Sequence, residues 1–276
     1  MANITAQDVK KLREMTGAGM MDCKKALTEA DGDFDKAIDN IRKRGQLIAS
    51  KRADRAATEG AAIGKVDAAG KHGAAIVLNC ETDFVATNEG FIELANKILD
   101  LALTQKPADL EALKALQLDG TTVAEQVVAL SGVIGEKIDL SQYEYVDAES
   151  VTAYIHMNNR IATLVGLNQE ITNPQVGKDV AMQVAAMSPV AVDRKSVPQN
   201  IIDHEFEIGR DMARNEGKPE AMLDKIAEGR LNKFFKESTL MEQEFIKDSK
   251  LTIAKYLDGV SKGLTAVNFK RLSLNN

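Results

Sequence analysis

Two cysteines, no tryptophan and few aromatic residues set the first limits on this chain of 276 residues. Cys23 and Cys80 are too few for a disulfide framework and fit a reducing cytosol. Aromatic residues make up only 4% of the chain, so the predicted core is aliphatic. The first eight residues lack a signal pattern, and no apolar run approaches the roughly 18 residues of a membrane span. We therefore expect a soluble, cytoplasmic protein with no membrane partner.

Catalytic and metal-binding patterns are also missing. The three histidines have no metal-ligand spacing among themselves or with the cysteines, and no Gly-x-Ser-x-Gly elbow occurs. Gly60–Val66 comes nearest to a phosphate loop. Its inter-glycine gap is one residue short, and Val66 replaces the Ser or Thr that would bind Mg²⁺. We expect no enzyme active site, no metal and no cofactor.

Charge is spread unevenly along the chain. The whole chain carries a net charge of −6, which gives no general attraction to nucleic acid. Residues 1–55 hold 12 Lys and Arg against 9 Asp and Glu, a net of +3. The basic segment 42–58 lacks the interleaved aromatic residues of a single-strand binder. A solvated helical linker is the favoured interpretation, and RNA binding is the alternative.

The N-terminal 45 residues carry the pattern of three short helices. Thr5 and Asp33 are predicted N-caps, and the second helix is expected to stop near Gly32. Gly45 is expected beyond the end of the third helix. Adjacent helical residues point about 100° apart, so one of Met20 and Met21 is predicted to be packed and the other exposed.

The rest of the chain alternates strand and helix patterns, which predicts an α+β fold. A hairpin is expected over 62–79, a helix from Phe91, and a capping box at Thr122. Further strands are expected at 138–147, 151–156, 160–168 and 265–272, and a last helix at 251–257. Asn79 and Glu81 recur as Asn168 and Glu170, which indicates two related α+β halves.

Two helices are predicted between Asn200 and Phe235, broken at Gly217–Pro219. A short turn between two apolar-striped helices indicates an antiparallel helical hairpin. The predicted domains are 1–55 with the three helices and the basic linker, 56–142 for the first half of the core, and 143–276 for the second half. The hairpin occupies about 199–237 of this last domain.

Thr82-Asp83-Phe84-Val85 lies at a predicted corner between a strand and a helix. An aromatic ring exposed at such a corner suits insertion into another molecule. The residues alone equally allow Phe84 to be a core ring under the corner and Asp83 to be a helix cap. Thr82 and Val85 are expected to shape the corner.

Five motifs carry a resemblance to the bacterial elongation factor Ts family. Thr16–Leu27 and Asn79–Ala86 are long and specific matches to the family's two signatures. Tyr154–His156, Ala181–Ala186 and Glu228–Phe235 are similar to its later motifs. The five occur in family order and span nearly the whole chain.

The resemblance implies a non-catalytic guanine-nucleotide exchange factor that acts on elongation factor Tu in its GDP-bound and nucleotide-free forms. It implies a ubiquitin-associated-like N-terminal domain of three helices, and a two-part α+β core with antiparallel sheets and a projecting helical hairpin. A passive binding protein for the same GTPase, which does not accelerate exchange, is the alternative.

The resemblance also assigns roles to particular residues. It implies that Asp83 and Phe84 intrude near the Mg²⁺ site of the GTPase. Further partner contacts are implied at five positions: Arg13, Met20, Met21, Lys24 and His156. The family has small, Gly-rich residues after this histidine, whereas Met157–Asn159 follow here, so the local turn, and with it the direction of the His156 side chain, is expected to depart from the family's pattern.

Overall fold

The computed structural model of the chain describes residues 4–274. Within that range the chain forms eleven α-helices, ten β-strands and two short 3₁₀ turns. The helices are α1 (Ala6–Thr16), α2 (Met20–Glu29), α3 (Phe34–Lys51), α4 (Asp83–Ala86), α5 (Glu89–Gln105), α6 (Leu110–Ala115), α7 (Val123–Ile134), α8 (Pro174–Met187), α9 (Gln199–Asn215), α10 (Leu223–Ser238) and α11 (Ile253–Val260). The strands are β1 (Glu59–Val66), β2 (His72–Cys80), β3 (Gln117–Leu118), β4 (Thr121–Thr122), β5 (Asp139–Asp147), β6 (Ser150–His156), β7 (Ile161–Leu167), β8 (Glu244–Phe245), β9 (Asp248–Thr252) and β10 (Ala266–Ser273).

The chain divides into two compact units. The first unit takes the chain up to Ile63, then Ile76–Glu144, then the end from Leu272. The second unit takes Gly64–Ala75 and Tyr145–Arg271. Strands β1, β2, β5 and β10 each give residues to both units. The predicted division into three domains stays a prediction.

Three helices form in the N-terminal segment, and two of them have the N-caps that the sequence predicts. Thr5 caps α1 in a capping box with Asp8, and Asp33 caps α3 by accepting from the backbone N–H of Lys36. Gly17 ends α1 in the left-handed region, at φ 69°, where glycine has no Cβ penalty. Leu12, Cys23, Ala26, Leu27 and Ala37 are fully buried in one cluster between the helices.

The prediction that Gly45 lies beyond the end of the third helix is wrong. Helix α3 continues through Gly45 to Lys51, so it includes much of the predicted basic linker. Gly45 is buried against Gly132 of α7, and a Cβ added to Gly132 would overlap the Cα atom of Gly45. The two glycines let the helix backbones approach closely, so Gly45 serves packing rather than termination.

Two three-stranded sheets share one topology. In the first, β2 lies between β1 and β5; in the second, β7 lies between β6 and β10. Strands β6 and β7 are antiparallel, with Tyr154 opposite Thr163 and His156 opposite Ile161. In both sheets the later strand of a hairpin is central and leads to a long helix: β2 leads to α5 past the single turn of α4, and β7 leads directly to α8. The predicted α+β class is confirmed, and the shared topology agrees with two related halves.

The second unit has its core between its sheet and helix α8. Val165 and Leu167 of β7 pack with Val180 and Val184 of α8 and with Leu257 of α11, all nearly inaccessible to solvent. Helices α9 and α10 pack against each other after a turn at Gly217, whose φ is 72°. The predicted helical hairpin and its break at Gly217–Pro219 therefore match the structure.

Candidate functional site

The strand-to-helix corner at Thr82–Val85 carries the most exposed aromatic side chain of residues 4–274, that of Phe84. Strand β2 ends at Cys80, and Thr82 caps the single turn of α4 by accepting from the backbone N–H of Val85 at 3.5 Å. Phe84 is 83% exposed, whereas Phe91, one helix later, is fully buried. The alternative of Phe84 as a core ring under the corner is therefore wrong.

Asp83 lies beside Phe84 on the same turn and is exposed. It is the first residue of α4, and Thr82 rather than Asp83 is the helix cap. Within residues 4–274 the Asp83 carboxylate makes no hydrogen bond or ion pair. Carboxylate and ring are thus both available to a partner, while Thr82 and Val85 are only partly exposed and shape the turn.

Glu136 holds the start of the corner. It directly follows Gly135, which ends α7 in the left-handed conformation at φ 82°. One oxygen of Glu136 accepts from the backbone N–H groups of Glu81 at 3.2 Å and Thr82 at 3.0 Å. The other accepts from the Thr82 hydroxyl at 2.7 Å. Hydrogen bonds to a carboxylate are stronger than those between neutral groups, so the cap is firmly fixed.

Glu81 returns the interaction. Its carboxylate accepts from the backbone N–H of Lys137 at 2.7 Å and from Nη1 of Arg52 at 2.8 Å. The hydrogen bond from Lys137 is the main reason that the pKa of Glu81 lies below its usual range; burial opposes this, and Arg52 adds to it. Glu81 and Glu136 therefore each bind the backbone beside the other, and we call this pair the carboxylate clamp.

Cys80 lies under the corner, fully buried. Its Sγ donates to the backbone oxygen of Thr82 at 3.1 Å. Burial, with the negative charge of Glu136 as the next cause, raises the pKa of the Cys80 thiol to about 12. A thiol with such a pKa is not a nucleophile at neutral pH, so Cys80 is a structural group here.

The four N-terminal candidates Arg13, Met20, Met21 and Lys24 are all exposed. Met20 is 56% and Met21 is 76% exposed, so the prediction that one of them is packed is wrong. They occupy the first turn of α2, before the positions whose side chains fill the three-helix core. Lys24 follows Met20 by four residues, which places both on one side of the helix.

His156 ends β6 in the second unit, whereas the corner and the N-terminal candidates belong to the first unit. Its Nδ1 lies 2.9 Å from the hydroxyl of Tyr154, so a neighbour on the same strand fixes the ring. The next residues, Met157, Asn158 and Asn159, all have positive φ angles, of 51°, 51° and 66°. Two of these three residues are Asn, which tolerates positive φ angles better than Met does. The turn therefore forms without the glycines that the family has at this place.

Within residues 4–274, no group of three His, Cys, Asp or Glu side chains could hold a metal ion. No helix in that range is both long and apolar enough to cross a membrane. A groove of about 690 Å³ runs between α3 and α7, with Ile41, Gly45 and Val133 in its walls. Neither Asp83 nor Phe84 contributes to this groove.

Comparison with known proteins gives consistent matches over the whole chain. The family model described as "Elongation factor TS" matches residues 81–276. A protein of Amoebophilus asiaticus named "Elongation factor Ts" is 56% identical over 271 residues, which cover 98% of each chain. A protein of the same name from Porphyromonas gingivalis is 52% identical over 99% of this chain and 98% of its own. A third, from Christiangramia forsetii, is 50% identical over 99% of this chain and all of its own.

Proposed function

We propose, because this chain belongs to the elongation factor Ts family of translation elongation factors, that it promotes the release of GDP from elongation factor Tu. The observation that carries this proposal is the exposed, unpartnered Asp83–Phe84 pair on a corner held by hydrogen bonds. Such a pair gives a ready contact for the partner. A protein of this kind works in the cytoplasm and needs no cofactor, metal, nucleic acid or membrane of its own.

Exchange of this kind follows from thermodynamic coupling. A factor that binds the nucleotide-free GTPase more tightly than the loaded one must weaken nucleotide binding by the same factor. Mg²⁺ bridges phosphate and protein oxygens in GTPases, so disturbing its site loosens the nucleotide. We assign this role to Asp83 and Phe84: the ring inserts between partner side chains, and the carboxylate perturbs the groups around the metal. No covalent bond forms, so no catalytic residue is needed.

The size of the effect limits what Phe84 does alone. Burying one Phe side chain contributes roughly 1.5–3 kcal/mol, which at about 1.4 kcal/mol per tenfold is one to two decades. A larger acceleration requires a wider contact. We propose that Arg13, Met20, Met21, Lys24 and His156 supply parts of that contact.

The test is release of a fluorescent GDP from elongation factor Tu, followed with and without this protein. We expect acceleration at micromolar concentration by the unaltered chain. Phe84→Ala is expected to slow the stimulated release about tenfold or more, the lower end of the value of one buried ring. Val260→Ala is the matched control, because Val260 is another exposed apolar side chain, at the end of α11 in the second unit.

The alternative of a passive binding protein makes the opposite prediction. Such a protein would bind elongation factor Tu and leave the release rate of GDP unchanged. Absence of acceleration by the unaltered chain would therefore refute the proposed exchange activity. A Phe84→Ala rate within twofold of the unaltered chain would refute the role of the ring while leaving exchange itself intact.

A further inference from the structure

We infer that the carboxylate clamp is a positioning device for exchange, in which Glu136 holds the Asp83–Phe84 corner in the conformation that enters the partner. The inference rests on the proposed function and adds a residue to it. The hydrogen bonds that Glu136 accepts come from Glu81 and Thr82, and not from Asp83 or Phe84. It acts through the backbone and hydroxyl of Thr82, the residue that starts the turn.

The single turn of α4 gives the corner little stability of its own. Helix α4 is a single turn of four residues with no buried side chain, and so short a helix is not stable by itself. From outside the α4 turn, Thr82 is held by the Glu136 carboxylate and by the Cys80 thiol, which donates to its backbone oxygen. Within the turn, the same backbone oxygen also accepts from the N–H of Ala86. Without Glu136, two backbone N–H groups and one hydroxyl lose their acceptor, so the turn gains conformational freedom.

The opposite side of the clamp gives the corner a fixed base. Glu81 binds Arg52 just beyond the end of α3 and the backbone of Lys137. The Lys137 ammonium in turn donates to the backbone oxygens of Ala53 at 2.7 Å and Arg55 at 3.1 Å. The segment after α3 and the segment after α7 therefore meet at the corner. All of these residues belong to the first unit.

Loss of the clamp is expected to act on the rate at saturation rather than on binding. The wider surface brings the two proteins together, and the corner then enters in a step within the complex. If the corner holds the competent conformation only part of the time, the rate of that step falls by the same fraction. The concentration that gives half of the maximal rate stays nearly unchanged, because it reflects the wider surface.

Three variants separate the clamp from general stability. Glu136→Ala removes the acceptor, while Glu136→Gln keeps an oxygen for the backbone N–H groups and can donate to Thr82 Oγ1. The matched control is Glu125→Ala at the other end of α7. Glu125 also accepts from the N–H and hydroxyl of a threonine, Thr122, at 2.8 and 3.0 Å. Its loss removes the same kind of bond far along the helix from Glu136.

The first measurement is stimulated GDP release over a range of factor concentrations. We expect Glu136→Ala to lower the maximal rate about tenfold, the effect of one lost charge-assisted interaction at about 1.4 kcal/mol per decade. We expect Glu136→Gln to restore most of the rate and Glu125→Ala to match the unaltered chain. Equal maximal rates for Glu136→Ala and Glu125→Ala would overturn the inference while the exchange activity of the unaltered chain stands.

The second measurement needs no partner. Amide hydrogen exchange is followed at the backbone of Glu81 and Thr82, which donate to Glu136. Faster exchange there in Glu136→Ala, but not in Glu125→Ala, supports the clamp. Unchanged exchange overturns it, whatever the GDP assay gives. If the unaltered chain does not accelerate GDP release, the proposed function fails, and the role of the clamp in exchange fails with it.

Discussion

Asp179 shows how single residues hold the second unit together. It is a buried carboxylate on α8 that accepts from Gln175 at 2.6 Å, Lys247 at 2.7 Å and Tyr256 at 2.9 Å. Burial works to raise the pKa of Asp179, but these three donors outweigh it and the pKa lies below its usual value. Burial, with the bond to Asp179, raises the pKa of Tyr256 to about 12. One carboxylate thus ties α8 to the β8–β9 turn and to α11.

Asp179→Asn is expected to lower the free energy of unfolding by about 2 kcal/mol at neutral pH, the usual contribution of hydrogen bonds to a charged group. Because folding lowers the pKa, the contribution is complete above the ordinary pKa of 3.8 and is lost as the pH falls through the folded-state value. The difference between the two chains should therefore shrink in acid. Urea unfolding at a series of pH values measures it.

The control for Asp179 is Asp211→Asn. Asp211 is exposed and pairs with Arg214 three residues away on α9, and such surface pairs contribute little, about 0–1 kcal/mol. A loss for Asp179→Asn no larger than for Asp211→Asn, or one that persists unchanged in acid, would show that the network contributes no pH-dependent stability.

At the scale of elements, the crossing of α3 and α7 shows what the sequence predicts and what it does not. Capping residues Thr5, Asp33 and Thr122 are local signals, and each caps its helix as predicted. By local pattern alone, Gly45 predicts the end of the third helix. Its role depends on Gly132, a residue far along the chain. Local patterns therefore give the starts of α1, α3 and α7 correctly, whereas the last helix begins at Ile253 and not at the predicted residue 251. At Gly45, a packing contact between distant residues overrides the predicted stop.

Gly132→Ala is expected to destabilise the first unit by about 1–3 kcal/mol, because the added methyl overlaps backbone atoms that cannot move aside. Gly229→Ala is the matched control. Gly229 lies within α10 and faces open space, so alanine there should stabilise the chain by up to about 1 kcal/mol through its better helix propensity. Thermal unfolding by circular dichroism compares the two.

A destabilisation of the same sign and size in both variants would mean that neither change reports the crossing. Stability of Gly132→Ala equal to that of the unaltered chain would show that α3 and α7 separate without cost. In that case the glycine pair would not be what sets the distance between the helices.

At the scale of the whole molecule, the two three-stranded sheets share one topology, but among residues 4–274 an exposed Asp-Phe pair follows the central strand of the first sheet and not that of the second. Asn79 at the end of β2 donates to the backbone of Glu59 and accepts from Ser141. Its counterpart Asn168 donates to the backbone of Gly263 and accepts from that of Thr265. The sequence alone could predict the Asp83–Phe84 pair as a candidate contact, because the motif at 79–86 that contains it is contiguous. Glu136 was not predicted, because nothing in the sequence links it to a hydroxyl 54 residues away.

We expect two exposed surfaces of the first unit to affect different parameters of exchange, one the concentration for half-maximal GDP release and the other the maximal rate. The Met20→Ala, Met21→Ala double variant removes exposed apolar area from the first turn of α2. We expect it to raise the concentration for half-maximal GDP release about tenfold, since two truncated contact residues cost about 1.4 kcal/mol or more. The maximal rate should stay within twofold, in contrast to Phe84→Ala. Val260→Ala again serves as the control.

The effects of the two surfaces should also combine independently. A chain with both the methionine changes and Phe84→Ala is expected to show the sum of the two free-energy losses. A methionine variant whose maximal rate falls while its half-maximal concentration stays constant would show instead that α2 takes part in the insertion step.

The buried thiol beneath the corner has a consequence for how this protein reacts with oxidants. Peroxides and disulfides react with thiolates. With a pKa of about 12 for Cys80, about one molecule in 10⁵ is ionised at neutral pH. The sulfur also has no exposed surface through which an oxidant can approach. We therefore expect oxidants to leave this corner chemically unchanged, even though a cysteine lies two residues before the threonine that caps the turn.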